Sequence, residues 1–382
     1  VQDLNRLSYN SALSHLRKLN LPMEASAKVV APRHLHSSQL GIIDPLDTPD
    51  GGNVGFHKHL ALTTHVTTGF SAFPLIEWFQ KAIRMKLLSE CVPLQIAHMC
   101  KIMINGNWCG VVSNPNGIVN YLKLNRNNGI IPVFTSIRWD IKNNIIFIFT
   151  DVGRLCRPIF YINDGIPSYK NESVLELIKT NKFTWNQLIV GFAKMTDENF
   201  NINNHKVYED VSKLYNTNDI KDLNLTKGII EFMDTSEMES SLIAMNEDQL
   251  AQKKYFNKHT HIEIHPSLLL GVMGNQVVFP ENNQLPRDLF ACGQMKQGVS
   301  LYHSNFHTRI DKMGVVLNYG QIPLVKNRLM KYINENEHPY GENAIVAIMC
   351  YNGYNVEDAI LINEGSLKRG LFNTTYYNMY ET

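Results

Sequence analysis

The sequence holds little of what usually announces a chemistry. Its 382 residues include six cysteines, Cys91, Cys100, Cys109, Cys156, Cys292 and Cys350, and no two of them form a Cys-x-x-Cys pair. That spacing excludes a locally built zinc finger or ribbon, so no zinc is expected, and the cysteines read as reduced core thiols of an intracellular protein. No run is apolar enough to span a bilayer, and the first residues lack the form of a signal peptide, so no membrane partner is expected. Charged residues make up 19% of the chain, the formal net charge is +1, and neither end is an acidic or basic tail. Bulk charge therefore gives no sign of nucleic-acid binding; such a surface must be a local patch. Internal repeats and heptad runs are missing. So are the glycine-rich phosphate loop, the nucleophile elbow, the zincin pair and the EF-hand loop.

What is present is ordinary globular sequence, 44% hydrophobic and long enough for two or three domains. It opens at Val1 in helix-like sequence and stops at Thr382 after an apolar-aromatic run, so a segment of a longer polypeptide is expected. Leu7, Leu13, Leu16 and Leu19 predict a helix over 1–20, broken at Pro22. Residues 31–55 are dense in Pro, Gly, His and Asp, the composition of a functional loop or a surface connector. A helix is expected near 75–87, a hairpin at Asn105-Gly106, a helix over 115–126 and strands over 133–160. Residues 172–180 and the region of Trp185 read as helical. The Asn-, Asp- and Lys-rich stretch 195–222 carries a soft domain boundary. Strands are expected at 228–233, 314–318 and 342–348, with a helix from Arg287 to about Gln297. The fold class is α+β.

Four constellations stand out. An apolar stretch ends in the turn Tyr351-Asn352-Gly353-Tyr354-Asn355, which delivers the adjacent carboxylates Glu357 and Asp358, either to a cleft or to plain solvent. His259, His261, Glu263 and His265 share one face of an extended chain; hydrogen-bonded strand residues outweigh a metal site there. Arg287 enters a helix N-terminal region, where free N–H groups favour anions and a guanidinium can clasp phosphate oxygens. His34, His36, Asp44, Asp47, Asp50, His57 and His59 have spacings too common to support a metal or hydrolase site. Arg17, Lys18, Lys28, Arg33 and Lys58 suit a groove that tracks a nucleic-acid backbone. Two function classes stay open: a phosphate-chemistry enzyme using carboxylate-held Mg2+, and a noncatalytic nucleic-acid-binding or assembly module.

Taken in order, the motifs resemble the second-largest subunit of multisubunit DNA-directed RNA polymerases, of the eukaryotic RNA polymerase II-like branch. The resemblance rests on Arg6-Leu-Ser-Tyr-Asn-Ser-Ala-Leu-Ser-His-Leu-Arg-Lys18, Pro32-Arg-His-Leu-His36 and Thr48-Pro-Asp-Gly-Gly-Asn-Val-Gly55. It continues with Asp151-Val-Gly-Arg154 and Arg157-Pro158, Glu231-Phe-Met-Asp234 through Ile243-Ala-Met245, and Thr260-His-Ile-Glu-Ile-His-Pro-Ser267. Asn283-Gln284, Pro286-Arg287, Lys296-Gln297, Gly353-Tyr-Asn-Val-Glu-Asp358 and Arg369-Gly-Leu-Phe372 close the series. Each motif is modest; the ordered set spans nearly the whole chain. The asparagine richness, and Asp47 and Asp50 where cellular relatives usually carry Glu, point toward a large DNA virus.

The resemblance implies a multidomain α+β architecture. It comprises a fork region over 1–75, the first part of external domain 1 over 76–165 and external domain 2 over 166–225. A return segment and connector follow over 226–258. The incomplete N-terminal part of the hybrid-binding domain, over 259–382, carries the first part of a double-psi β-barrel. The implied reaction is template-directed nucleotidyl transfer, active only in the assembled complex, with partners in the largest polymerase subunit, other subunits, template DNA, nascent RNA and NTPs. The main Mg2+ ligands would lie on the largest subunit; Glu357 and Asp358 would approach the second ion indirectly, through water. Arg287 would meet the triphosphate, and Gln284, Lys296 and Gln297 would lie near the RNA 3′ end. Arg33, Thr48, Asp50 and Gly51 would lie near DNA. Asp288-Leu289, where cellular relatives commonly have Asn-Thr, departs from the family pattern. The implied location is the nucleus for a cellular protein, or host cytoplasm, nucleus or virion for a viral one. Part of a barrel would leave sheet edges and apolar surface open, so the segment is expected to be neither catalytic nor well folded alone.

Overall fold

The computed structural model describes residues 2–24, 26, 28–170, 175–176, 179–180, 183–191, 202–203, 220–252, 258–334 and 337–382. Most of the polar stretch 195–222, with the boundary expected in it, and most of 172–178 lie outside the described residues. The chain is α+β and divides into two units, 1–62 with 267–382, and 63–266.

The unit 63–266 carries two sheets. The first has the strand order Lys86–Leu87, Asn107–Val112, Cys100–Ile104, Ile145–Phe149, Ser136–Asp140; one of its pairs, Cys100–Ile104 with Ile145–Phe149, is parallel. Asn105 and Gly106 both take positive φ, 50° and 81°, so the expected hairpin forms as a tight turn whose twist matches its strands. Alternation buries Ile102, Ile104, Ile146 and Ile148, which join one core with Ile118, Val119 and Leu122 of the helix Pro115–Asn127 and with Trp78 and Phe79 of the helix Phe73–Lys81. The second sheet is organised around Leu155–Asn163. Ile230–Asp234, His65–Val66, His261–Ile262 and Ile166–Pro167 all pair with it.

Buried charge ties these elements together. Arg126, 1% exposed, donates to both oxygens of Glu237 at 2.7 and 3.0 Å, to Glu231 at 3.1 Å and to the Thr135 carbonyl at 2.8 Å. Lys123 also reaches Glu237, at 3.1 Å. Arg157 forms a two-pronged pair with Glu263 at 2.6 and 2.7 Å. Arg154 holds Asp234 at 3.0 Å and the Phe134 carbonyl at 2.7 Å. Asp234 in turn caps the short helix Thr235–Met238 through the Glu237 N–H. His261 lies 3.3 Å from Glu231. Two members of the His259–His265 series are thus engaged in buried pairs, the hydrogen-bonded reading of that series.

The other unit begins with the helix Tyr9–Leu16, capped by Ser8, whose Oγ accepts from the Ser11 N–H at 3.0 Å. It is shorter than the periodicity predicts. Lys18–Asn20 leaves the helix to pair antiparallel with His57–His59, a tertiary contact that overrides local propensity. The expected helix over 287–297 forms as Leu285–Gln297, with Pro286 in its first turn. Met273, Val277 and Cys292 pack with Leu46 in the core beside it. Met313–Leu317 pairs antiparallel with Thr374–Asn378.

Three expectations fail in whole or part. The helix expected near 75–87 ends at Lys81, and Lys86–Leu87 is a strand. Of the six cysteines read as core thiols, Cys350 is exposed and Cys91 and Cys109 are half-buried. Residues 342–348 form no strand. Their ties run through side chains to distant segments: Asn343 binds Gln321 and the Ile322 carbonyl, and Glu342 accepts from the Phe372 N–H. Ile345 and Ile348 are 105% and 100% exposed. A strand needs a neighbour that forms a ladder with it, and no described strand pairs with this stretch. No described helix is long and apolar enough to cross a membrane.

Burial disfavours the ionised forms of Glu231 and Glu237, but Arg126 outweighs it. It holds Glu231 well below the usual carboxylate range, with help from His261 and Lys123, and Glu237 below it, with help from Lys123. Their folded pKa values are depressed, so their stabilisation is present above the unfolded value, about 4.3, and is lost as pH falls through the folded one. Arg126→Met leaves two buried carboxylates without their main cation. It is expected to cost about 3–5 kcal/mol, read as a lower urea midpoint at pH 7 whose deficit against the parent narrows toward pH 3. An unchanged midpoint would show that the pairs do not hold this unit together.

Candidate functional site

The candidate site lies in the unit 1–62 with 267–382, where the loop 44–55 meets the helix Leu285–Gln297. Asp44 starts the loop. Its carboxylate accepts from the Leu46 N–H at 3.0 Å and the Gly274 N–H at 3.2 Å. A Cβ at Gly271 or Gly274 would come within 2.7 Å of that carboxylate, so both glycines are needed for the approach. Burial pushes the Asp44 carboxyl up to about 6 against these donors.

Three residues on, Asp47 turns the other way. It is 3% exposed and meets Lys296 Nζ at 2.6 Å. His59 closes the cluster. Its Nδ1 lies 2.9 Å from the Asp47 carbonyl and 3.3 Å from the Asp47 carboxylate, and its Nε2 lies 3.5 Å from Lys296 Nζ. Burial first, and then Lys296, lower the His59 pKa against the pull of Asp47, so the ring is neutral at pH 7. With the proton on Nδ1, its Nε2 accepts from the ammonium.

The loop beyond is shaped by two clasps. Thr48 Oγ1 donates to the His57 carbonyl at 2.8 Å and accepts from the Gly55 N–H at 2.9 Å, tying the loop's ends together. Arg33 Nη1 donates to the Gly52 and Val54 carbonyls, both at 2.8 Å, and its guanidinium lies 3.7 Å from the centroid of the Phe56 ring. Gly55 has φ +73°, and a Cβ there would sit 2.5 Å from the Arg33 Cα. Other cations of the expected groove also spend donors internally. Arg17 donates to the Ala61 and Leu62 carbonyls, and Lys58 to the Pro32 carbonyl.

An open cleft of about 1020 Å³ runs between loop and helix. Of the site residues that the resemblance implied it gathers Thr48, Asp50, Lys296 and Gln297, and Lys18, Asp47, His57 and His59 line it too. Arg33, Gly51, Gln284, Arg287, Glu357 and Asp358 do not line it. Arg287 is exposed on the first helical turn, 5.6 Å from the Phe290 ring centroid, and its guanidinium has no carboxylate partner among the described residues. Gln284 caps that helix with its backbone. Asp288, where the family pattern breaks, is buried and accepts from Asn283 at 3.1 Å. Glu357 and Asp358 are exposed, Glu357 with φ 57°, and neither carboxylate has a partner among the described residues. Among the described residues no three His, Cys, Asp or Glu side chains converge to hold a metal ion. Asp47 and His59 carry little signal in sequence, because their partner Lys296 stands more than two hundred residues away.

In chain order, residues 2–66, 102–163, 221–266 and 273–382 match the models for domains 3, 4, 5 and 6 of RNA polymerase Rpb2. The chain belongs to the family of second-largest RNA polymerase subunits. It is 36% identical over its whole length to the DNA-directed RNA polymerase II subunit RPB2 of Encephalitozoon cuniculi, covering 30% of that protein. Over 99% of its length it is 34% identical to the DNA-directed RNA polymerase II subunit 2 of Arabidopsis thaliana, covering 30% of it. The archaeal subunit Rpo2 of Sulfolobus acidocaldarius is 30% identical over the whole chain, which covers 31% of it. The chain thus spans about a third of the length of these curated relatives. Within the family segment, two of the matched ranges, 2–66 and 273–382, contribute the two walls of the cleft.

Thr48→Val removes both bonds of the loop clasp. Proteolytic nicking within 48–55 of the folded chain is expected to accelerate severalfold, the equivalent of about 1–2 kcal/mol of local opening. Unchanged nicking would assign the loop's shape to Arg33 alone.

Proposed function

We propose that this segment forms part of the catalytic core of a DNA-directed RNA polymerase and acts in template-directed transfer of nucleotides from NTPs to the RNA 3′ end. The ordered run of four consecutive Rpb2 domain models carries the reading. On this reading we take 1–75 as the fork region, 76–165 as the first part of external domain 1, 166–225 as external domain 2, 226–258 as the return segment and connector, and 259–382 as the start of the hybrid-binding domain. The partners are the largest subunit and further polymerase subunits, template DNA and nascent RNA.

The side chains fit these roles. Arg287 is an exposed cation at a helix N-terminus, where backbone N–H groups add to its attraction for a triphosphate. There it orients the pyrophosphate and offsets charge that grows as it leaves. Glu357 and Asp358 present two carboxylates on one turn, without a partner among the described residues, too few to enclose an ion and well suited to a hydrated Mg2+ carried by the substrate. When bound, Mg2+ supplies activation of the 3′ oxygen and neutralisation of phosphate charge. Gln297 and Lys296 reach the cleft from the helix end, in position for the RNA 3′ end, and Gln284 opens the same helix. Arg33 fixes the loop carrying Thr48, Asp50 and Gly51, and that loop faces downstream DNA through phosphate contacts with weak sequence preference.

In the complete polymerase, Asp358→Ala is expected to slow single-nucleotide addition at least about tenfold while assembly with the largest subunit is unchanged. Arg287→Ala is expected to raise the NTP concentration needed for half-maximal addition. Normal nucleotide kinetics in both well-assembled variants would leave the noncatalytic binding or assembly module as the better account.

A further inference from the structure

We propose that Asp47 and His59 are positioning residues for Lys296: together they hold its ammonium in one place and leave one N–H directed to the cleft, where it meets an anionic oxygen of the bound nucleic acid or nucleotide. The inference rests on the polymerase reading for the nature of that anion.

An ammonium has three donors and no acceptor. The Lys296 ammonium gives one to Asp47 at 2.6 Å and aims a second at His59 Nε2, 3.5 Å away. The lysine is 23% exposed and lines the cleft, and no third partner for its ammonium lies within hydrogen-bond reach among the described residues, so the remaining N–H is free to serve the cleft. Both positioning groups are themselves fixed. Asp47 is buried, and His59 sits in the strand His57–His59 with Nδ1 on the Asp47 carbonyl. The lysine's own backbone is anchored too, its carbonyl accepting from Ser8 Oγ at 2.6 Å. A flexible four-carbon side chain is thereby held at both ends, which lowers the entropy lost when an anion arrives.

The geometry separates positioning from simple electrostatics, because the two predict opposite signs. Asp47→Asn removes a negative charge from the cleft wall. Electrostatics alone would then tighten binding of an anion. Positioning predicts a poorer enzyme, because Lys296 swings free.

The experiment uses the complete polymerase on an RNA–DNA scaffold, with single-nucleotide addition measured for Asp47→Asn, Asp47→Glu, Lys296→Met and the Asp47→Asn/Lys296→Met double variant. Asp47→Asn is expected to lower kcat about tenfold without lowering the KM for NTP. Asp47→Glu, which keeps the charge, is expected to retain most of the rate. The double variant is expected to be no slower than Lys296→Met alone. An unchanged kcat in Asp47→Asn, or effects that multiply in the double variant, would overturn the proposal. A readout independent of activity accompanies these: the rate of reductive methylation of Lys296 by mass spectrometry, expected to rise severalfold in Asp47→Asn and little in Asp47→Glu. Equal labelling in parent and Asp47→Asn overturns the positioning claim whatever the kinetics. Arg287→Ala serves as the control for the polymerase reading. If it and Asp358→Ala both leave nucleotide kinetics normal, that reading fails, and the labelling result still decides whether Asp47 holds Lys296.

Discussion

A charge removed from water must meet its opposite at close range, and this requirement organises both units. In the unit 63–266 the guanidinium of Arg126 gathers Glu231 and Glu237 from elements more than a hundred residues later in the chain. Arg154 holds Asp234, 80 residues on, and Arg157 holds Glu263, 106 residues on. Apolar burial drives collapse but tolerates many arrangements of similar volume. Guanidinium forks tolerate few, because a mispaired buried ion loses several kcal/mol. The sheet around Leu155–Asn163 is therefore held in register by ion pairs as well as by its ladder. In the other unit the pair Asp47 with Lys296 plays the corresponding part between loop and helix.

Much of the fold could be read from the sequence where local signals were strong. The Asn105-Gly106 hairpin, the helix Pro115–Asn127 and the helix Leu285–Gln297 each announced themselves by turn chemistry, periodicity or an N-terminal proline. Illegible features were those set by distant partners. Lys18–Asn20 is strand only because His57–His59 lies beside it. Residues 342–348 have the composition of a strand and no neighbour to make them one. The functional pattern behaved likewise. The run of motifs was readable as a family, and the matching domain models cover the same stretches. The Asp47, His59 and Lys296 cluster was not, since Asp-x-x-Asp and lone histidines occur everywhere and only folding puts a lysine between them.

The site also shows how one short loop serves several masters. Asp44 holds the turn at Gly274, Asp47 holds the helix, and Thr48 closes the loop on itself. These contacts occupy five consecutive residues, interrupted by Pro45, whose fixed φ limits the ways the two aspartates can diverge. The density of function explains why the segment looked irregular in sequence. Backbone shape here is dictated by side-chain bonds rather than by a repeating pattern.

Gly55 sets a bound on how this loop can evolve. Its left-handed backbone, at φ +73°, and the Arg33 main chain 2.5 Å from any added carbon leave room for hydrogen alone. A library randomised across 48–55 should therefore converge on glycine at this position, where both the backbone and the space demand it, even under selection for nothing but a soluble, intact chain. Diversity would then accumulate at the exposed crest, and the loop could acquire new sequence preferences without ever renegotiating its hinge.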